Sequence, residues 1–209
     1  MTYSDKQLQI ITTAETLFSG KGYDGTSVRD IAEAAGVNIA MISYYFGSKE
    51  GLIQALFEER TRDVVLKVES LLKNDALSPI EKIEWLVDDY VQRIATKIQF
   101  HKIMVCEQML QKNTVITTLL TELKKRNAEV VSKLIKDGQE KGAFRPDVDL
   151  VLLMNTLIGT VTQTFINTDY YRSYNHLESV DETTFQDDLK AGVSTHIKTL
   201  FKAILTYES

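Results

Sequence analysis

Apolar residues recur at helical spacing along most of the chain. In residues 4–20 they fall three or four positions apart, with polar residues between them. The same spacing returns in residues 48–72, 79–98, 114–140, 150–167 and 186–206. No segment shows the strict alternation of a half-buried strand. The pattern therefore predicts an all-α protein of about nine helices.

Short helices separated by glycines mark the N-terminal part. Ser27 is a good N-cap for a helix barely two turns long, which Gly36 ends. Asn38 is the N-cap of a third helix, over residues 39–45. A helix, a tight glycine turn and a second helix within residues 26–46 is the helix-turn-helix pattern, whose second helix enters the major groove of DNA.

The longer helices follow without a flexible linker. The spacing predicts a head over residues 1–47 and a helical body over residues 48–209. The fourth helix, residues 48–72, leads directly from head to body. We hypothesise that it transmits motion between them, pushed by the helix that starts at Pro79.

Composition narrows the function classes. The chain has 209 residues with only two prolines and ten glycines, which disfavours sandwiches and barrels. Its single cysteine, Cys106, excludes an internal disulfide framework, and its three histidines are too scattered for a metal site. No catalytic or phosphate-loop motif occurs, so we expect no enzyme activity and no cofactor. The sequence shows neither a signal peptide nor 18 consecutive apolar residues, which favours a cytoplasmic protein without a membrane partner.

Net charge is the main objection to DNA binding. The chain carries −5, and residues 1–50 hold six acidic and four basic residues, a net of −2. Only charges within a Debye length of about 8 Å act on a bound phosphate. We therefore expect weak non-specific binding and a shallow dependence of DNA affinity on salt, because few phosphates are neutralised.

Two stretches resemble the TetR family of transcriptional regulators. They are Leu17-Phe18-Ser19-Gly20-Lys21-Gly22-Tyr23-Asp24-Gly25-Thr26-Ser27-Val28-Arg29-Asp30-Ile31-Ala32-Glu33-Ala34-Ala35-Gly36-Val37 and Ser43-Tyr44-Tyr45-Phe46-Gly47-Ser48-Lys49-Glu50-Gly51-Leu52. The resemblance implies an all-helical homodimer with a three-helix DNA-binding head and a body that senses a small molecule. It also implies that the last two helices, near 148–167 and 186–206, form the dimer interface. The candidate interface residues are Leu157, Val161, Val193, Ile197, Leu200, Phe201 and Ile204.

The candidate DNA contacts lie around the second and third helices. They are Thr26, Ser27, Asn38, Ile39, Ala40, Ser43, Tyr44, Tyr45 and Lys49. Small residues allow close approach to bases, an asparagine hydrogen-bonds a base edge or a phosphate, and an apolar methyl meets a thymine methyl. Free N–H groups at helix starts bind phosphate. The resemblance implies that Tyr44 and Lys49 contact phosphates; Tyr45 is open to facing either way.

Departures from the family pattern affect base reading. Many relatives carry lysine or arginine where this chain has Ile39, and tyrosine where it has Ser43. Few charge-assisted base contacts are therefore available. We expect the operator to be a pseudo-palindromic duplex.

The body offers candidates for an effector pocket. They are the aromatic, methionine and threonine residues Trp85, Tyr90, Phe100, Met104, Met109, Met154, Thr162 and Phe165. Ligand pockets are mostly apolar with a few polar anchors, and methionine adapts to varied ligands. The sequence thus predicts a repressor released from its operator by a small apolar or aromatic effector. A protein-interaction module of the same fold, or a helical lipid or small-molecule carrier without DNA binding, is the alternative.

Overall fold

The computed structural model describes residues 3–206, and every regular element in that range is an α-helix. Ten helices follow in chain order: α1 Asp5–Lys21, α2 Val28–Ala34, α3 Ile39–Phe46, α4 Lys49–Leu72, α5 Pro79–Thr96, α6 Ile98–Leu110, α7 Thr114–Glu140, α8 Leu150–Ile166, α9 Thr168–Tyr174 and α10 Glu182–Leu205. The predicted all-α class is confirmed.

Capping chemistry fixes where several helices begin. Ser4, Ser27 and Ser78 each form a complete capping box at the start of α1, α2 and α5. In such a box the serine side-chain oxygen accepts from the backbone N–H of the third helical residue. The side chain of that residue in turn accepts from the backbone N–H of the serine. Asp149 and Asp181 cap α8 and α10 through their side chains.

The chain divides into two compact units. The first takes the chain up to Asp63 together with Gln99–Lys124, and the second takes Val64–Ile98 and the chain from Lys125 onwards. α4 and α7 contribute residues to both units. The predicted boundary at residues 47 and 48 stays a prediction.

The core of the first unit joins α1, α2 and α3 to α4, α6 and the start of α7. Phe18, Ile31 and Ile42 come from α1, α2 and α3, and Phe57 comes from α4. The Phe57 and Phe100 rings meet edge to face at 5.0 Å between centroids. The helix-turn-helix is thus packed against α6 as well as against its own helices.

The core of the second unit is formed by α5, α8 and α10 with the end of α4, the second half of α7 and Phe144. Val87 and Ile94 of α5, Val161 of α8 and Ile197 of α10 are fully buried within it. The buried Lys82 ammonium donates to the carbonyl of Leu72 at 2.9 Å, which gives this buried cation a partner.

Two elements differ from the sequence prediction. The apolar spacing runs on past residue 97, but the backbone breaks at Lys97 (φ −123°, ψ 36°) and a new helix, α6, begins. The polar segment after residue 167 contains the short helix α9. The periodicity does not reveal the break because apolar residues occur on both sides of it.

Within residues 3–206 no single helix is long and apolar enough to cross a membrane. Taken together, α8 and α9 meet that test on length and composition, across a bend of 77°.

Candidate DNA-binding surface and effector cavity

The start of α3 is fixed by Asn38. Its side-chain oxygen accepts from the backbone N–H of Ala40 at 2.8 Å, so the residue is a helix cap. Ile39, Ala40 and Ser43 lie exposed on the same helix, with Ile39 at 45%. An exposed isoleucine on a short surface helix presents a methyl-rich contact, which suits the thymine methyl of the major groove.

Tyr44 projects from α3 into solvent, and neither helix capping nor core packing accounts for this position. It is 83% exposed, and its ring meets the ring of Tyr45 edge to face at 5.2 Å. Tyr45 is half-buried and also contacts Phe46. Tyr45 therefore faces partly inward and supports Tyr44, whose hydroxyl is left for solvent or a phosphate.

Lys49 is held in place by an aromatic ring. Its Nζ lies 4.0 Å from the centroid of Tyr23, whose ring is buried. Such a cation–π contact orients the ammonium without neutralising it. Ser48 caps the start of α4 by accepting from the N–H of Gly51 at 3.1 Å. A cation and a helix start therefore adjoin each other, an arrangement suited to an anion.

Thr26 and Ser27 have different surroundings. Thr26 is buried, and its hydroxyl donates to the carbonyl of Gly22 at 2.9 Å. Its side chain fastens the turn before α2 and does not reach the surface where we expected a phosphate contact. Ser27 is exposed, and its backbone N–H donates to Asp30 at 2.8 Å.

Part of the negative charge of the head is compensated within the first unit. Glu15 is buried and accepts from Arg60 Nε at 3.0 Å. Arg60 lies outside residues 1–50, whose net charge is −2. The hydrogen bonds from Ser27 hold the pKa of the Asp30 carboxyl below its usual value. The Glu15 charge is therefore paired, whereas the Asp30 carboxylate stays charged at neutral pH.

A buried acid on α6 lies next to the turn that follows α1. Glu107 is 6% exposed. Burial, with a smaller contribution from Asp24, raises the pKa of its carboxyl, while the Tyr23 backbone and Lys49 oppose the shift. The burial of Glu107 was not predicted, since in the sequence an acid inside a helix resembles a solvent-facing residue.

The second unit contains an apolar cavity of about 60 Å³. In this measure one water needs about 10–15 Å³, so the cavity holds only a few waters. Its lining residues come from α4, α5, α7, α8 and α10: Val64, Val68, Ile83, Leu86, Tyr90, Arg93, Asn127, Val130, Val131, Leu153, Met154, Leu157, Ile158 and Phe201.

Three of the lining residues are polar. The Tyr90 hydroxyl interacts with Thr162, and burial raises the pKa of that phenol. Arg93 pairs through Nε with Asp89 at 2.8 Å and stacks over the Tyr90 ring at 5.4 Å. Asn127 has a buried side-chain oxygen that accepts no hydrogen bond.

The structure separates the predicted effector residues. Tyr90 and Met154 line the cavity, and Thr162 contacts Tyr90. Phe100 and Met104 pack in the core of the first unit instead, because the break at Lys97 starts a new helix. Met109 is 80% exposed, Trp85 is 38% exposed, and Phe165 is a core residue of the second unit.

Arg93 and Asn127 were missed among the cavity residues. Asn127 had a detectable signal, since it lies at helical spacing between Leu123 and Val130, on the apolar stripe of α7. A polar residue on an apolar stripe marks either a buried hydrogen bond or a ligand contact.

Most predicted dimer residues have their side chains inside the chain's own core. Five of them share the core of the second unit, and Leu200 packs against it: Leu157, Val161, Val193, Ile197 and Phe201. Ile204 is 38% exposed. The most apolar faces of α8 and α10 are buried in the chain's own core. Other residues therefore form the solvent-facing side of these two helices.

Among residues 3–206 no cluster of three or more histidine, cysteine, aspartate or glutamate side chains is placed to hold a metal ion.

A helix-turn-helix with an exposed second helix, joined to a helical unit with an apolar cavity, defines a helix-turn-helix transcriptional regulator. Residues 10–56 match the family model of bacterial regulatory proteins, tetR family. Residues 79–190 match the model of the tetracyclin repressor-like C-terminal domain. The chain belongs to the TetR family.

Similar proteins are regulators as well. The chain is 25% identical over 161 residues to the fatty acid metabolism regulator protein of Bacillus subtilis (strain 168), covering 76% of this chain and 81% of that protein. It is 28% identical over 160 residues to the transcriptional repressor KstR2 of Rhodococcus jostii (strain RHA1), covering 75% and 76%. The solved fatty acid degradation regulator FadR from Bacillus halodurans matches with a TM-score of 0.74 and 28% identity, covering 97% of each chain.

Proposed function

We propose that this regulator is a homodimeric repressor that an apolar, fatty-acyl effector releases from its operator. The observation that carries the proposal is the apolar cavity in the second unit of a chain whose head is a helix-turn-helix. Two similar proteins are named for fatty acid metabolism or degradation, and a third is named a repressor. These names favour an acyl effector over an aromatic one.

DNA recognition falls to α3 and the start of α4. Ile39, Ala40 and Ser43 face the bases, while Tyr44, Lys49 and the Ser48 cap hold phosphates. Their exposure and the fixed position of Lys49 support these roles. Because the direct base contacts are small and apolar, we expect specificity to depend on thymine methyls and on DNA shape.

Release follows from the small size of the cavity. A long acyl chain is larger than about 60 Å³, so it must displace lining side chains to enter. A ligand that binds one conformation better than another shifts the population towards it. We propose that α4, which contributes residues to both units, carries the shift to the head.

The outward face of α8 and α10 supports a two-fold dimer. Val151 and Leu152 are each 64% exposed at the start of α8. Gly159 on α8 and Gly192 on α10 have open space where a side chain would begin. Exposed apolar residues and glycines on these helices permit close approach of a partner's helices, and two heads of a dimer read two half-sites.

The test is binding to the DNA that flanks the protein's own gene, measured by fluorescence anisotropy at two salt concentrations against an unrelated duplex. We expect specific binding with a shallow salt dependence, because few phosphates are neutralised. A slope equivalent to about ten or more released ions per dimer contradicts that expectation.

The same assay separates the alternatives. Equal, feeble binding to both duplexes, repeated in a genome-wide fragment selection, excludes the regulator reading. A co-purifying lipid without DNA binding then favours a carrier, and its absence favours a protein-interaction module.

A further inference from the structure

The cavity of the second unit holds one polar atom that its own fold leaves unused. The oxygen of the Asn127 side chain is buried and accepts no hydrogen bond. The other two polar residues of the lining are satisfied: Tyr90 interacts with Thr162, and Arg93 pairs with Asp89 at 2.8 Å. Asn127 is therefore distinct among the polar residues of this cavity.

An unpaired acceptor in an apolar cavity is costly. Native structures pair most of their buried polar groups, and an exception calls for a specific explanation. Leucine at residue 127 would continue the apolar stripe of α7 between Leu123 and Val130 without that cost. Asparagine at residue 127 is explained if a ligand donates the hydrogen bond that its side-chain oxygen lacks.

We propose that Asn127 determines effector specificity by accepting a hydrogen bond from a hydroxyl or amide N–H group on an otherwise apolar acyl ligand. This inference rests on the proposed function, because it assigns the chemistry of the same cavity. A hydroxylated acyl chain satisfies Asn127, whereas an unsubstituted chain buries the oxygen without a partner.

Discrimination by such a site is asymmetric. A site built to hydrogen-bond a ligand group rejects the analogue that lacks it, because the polar atom of the protein is left unpaired. One buried hydrogen bond of this kind corresponds to a preference of about tenfold. The apolar remainder of the lining contributes equally to both ligands.

The test uses the full-length protein and matched acyl probes. Octadecanoic acid is compared with its isomers hydroxylated near the carboxyl group, in mid-chain and at the terminal carbon, and with octadecanamide as the N–H donor. Affinity is measured by calorimetry, and DNA release by anisotropy. Asn127→Leu removes the acceptor, and Met154→Leu is the matched control because it changes the same cavity without changing its polarity.

We expect at least one donor-bearing probe to bind the unmodified protein about tenfold more tightly than octadecanoic acid. Asn127→Leu removes that preference and retains affinity for octadecanoic acid, while Met154→Leu retains the preference. Without ligand, the melting temperature of Asn127→Leu equals or exceeds that of the unmodified protein. The increase is about 2–4 °C if the unpaired oxygen accounts for the whole difference in stability.

Three results overturn the inference. The first is that the unmodified protein shows no preference for a donor-bearing probe. The second is that Asn127→Leu keeps the preference. The third is that Asn127→Leu melts well below the unmodified protein, which makes Asn127 a structural residue. If octadecanoic acid binds and releases DNA in any of these cases, the proposed function stands and only the role of Asn127 is wrong. If no probe binds, the acyl effector is wrong and this inference falls with it.

Discussion

At the residue scale, the exposed face of α3 depends most on Tyr44. Its ring is braced by Tyr45 while its hydroxyl is open to solvent. The contact with Tyr45 involves only part of a side chain that is 83% exposed. A hydrogen bond to a charged phosphate is the role that explains it best.

We predict that Tyr44→Ala lowers operator affinity about tenfold or more, since hydrogen bonds to charged groups are worth about 1.5–3 kcal/mol. Tyr44→Phe isolates the contribution of the hydroxyl. Fluorescence anisotropy gives the affinities, and Tyr170→Ala, which changes another exposed tyrosine, on α9, is the control. Operator binding by Tyr44→Ala that matches the control would remove Tyr44 from the DNA contacts.

A second prediction concerns Glu107. Burial raises the pKa of its carboxyl. A raised pKa means that folding favours the protonated carboxyl. The resulting stabilisation of the folded state is present below the ordinary glutamate pKa of about 4.3 and is lost as pH rises through the raised pKa. Glu107→Gln should therefore raise the melting temperature at neutral pH and not in acid.

Thermal unfolding across pH checks the Glu107 prediction, with Glu122→Gln on the exposed side of α7 as the control. An equal effect of Glu107→Gln at all pH values would show that the charge of this residue is not what matters.

Individual residues show where sequence reasoning succeeds. The outward positions of α3 were predictable because a two-turn helix with one buried stripe leaves few alternatives. The burial of Thr26 was not predictable, since a threonine beside an N-cap serine looks like a surface residue until its hydroxyl is seen to close the turn.

At the element scale, local signals set most helix starts. Ser27 and Asn38 cap the helices that the sequence assigned to them, and Ser78 caps the helix that was expected to start at Pro79. The break at Lys97 carries no proline or glycine, so only tertiary packing reveals it. That break is also why Phe100 and Met104 belong to a different unit from Tyr90.

The end of α7 provides a prediction about packing. A Cβ atom at Gly138 would lie 2.1 Å from Cδ2 of Phe144, a buried ring. Gly138→Ala should therefore destabilise the protein by about 1–3 kcal/mol, although alanine is the better helix former. Chemical denaturation measures this change.

Gly20→Ala is the matched control, because open space surrounds that position in α1. It should stabilise the protein by up to about 1 kcal/mol. Equal stability of the two variants would mean that the Phe144 ring moves aside at no cost.

At the scale of the whole molecule, the family and fold were predictable from the head motif alone. The outward face of α8 and α10 was not, because apolarity marks the chain's own core more strongly than it marks a surface. Only the folded structure shows that Val193 and Ile197 point inward while Gly159 and Gly192 face open space.

The proposed dimer face gives a fourth prediction. A Cβ atom at Gly192 meets no other atom within 4 Å, so we expect Gly192→Arg to give a folded protein that is monomeric and binds its operator poorly. Gly20→Arg, also in open space but on α1, is the control and should remain dimeric. Analytical ultracentrifugation decides, and a dimeric Gly192→Arg protein would place the interface elsewhere.

The central claim is that the cavity and the DNA-binding head are coupled. The measurement that tests it most directly is operator affinity with and without a saturating long-chain acyl ligand, together with ligand affinity with and without operator. We predict that the ligand weakens operator binding by about 5–150-fold, and that operator weakens ligand binding by the same factor. Unchanged operator affinity with the cavity filled would contradict the account.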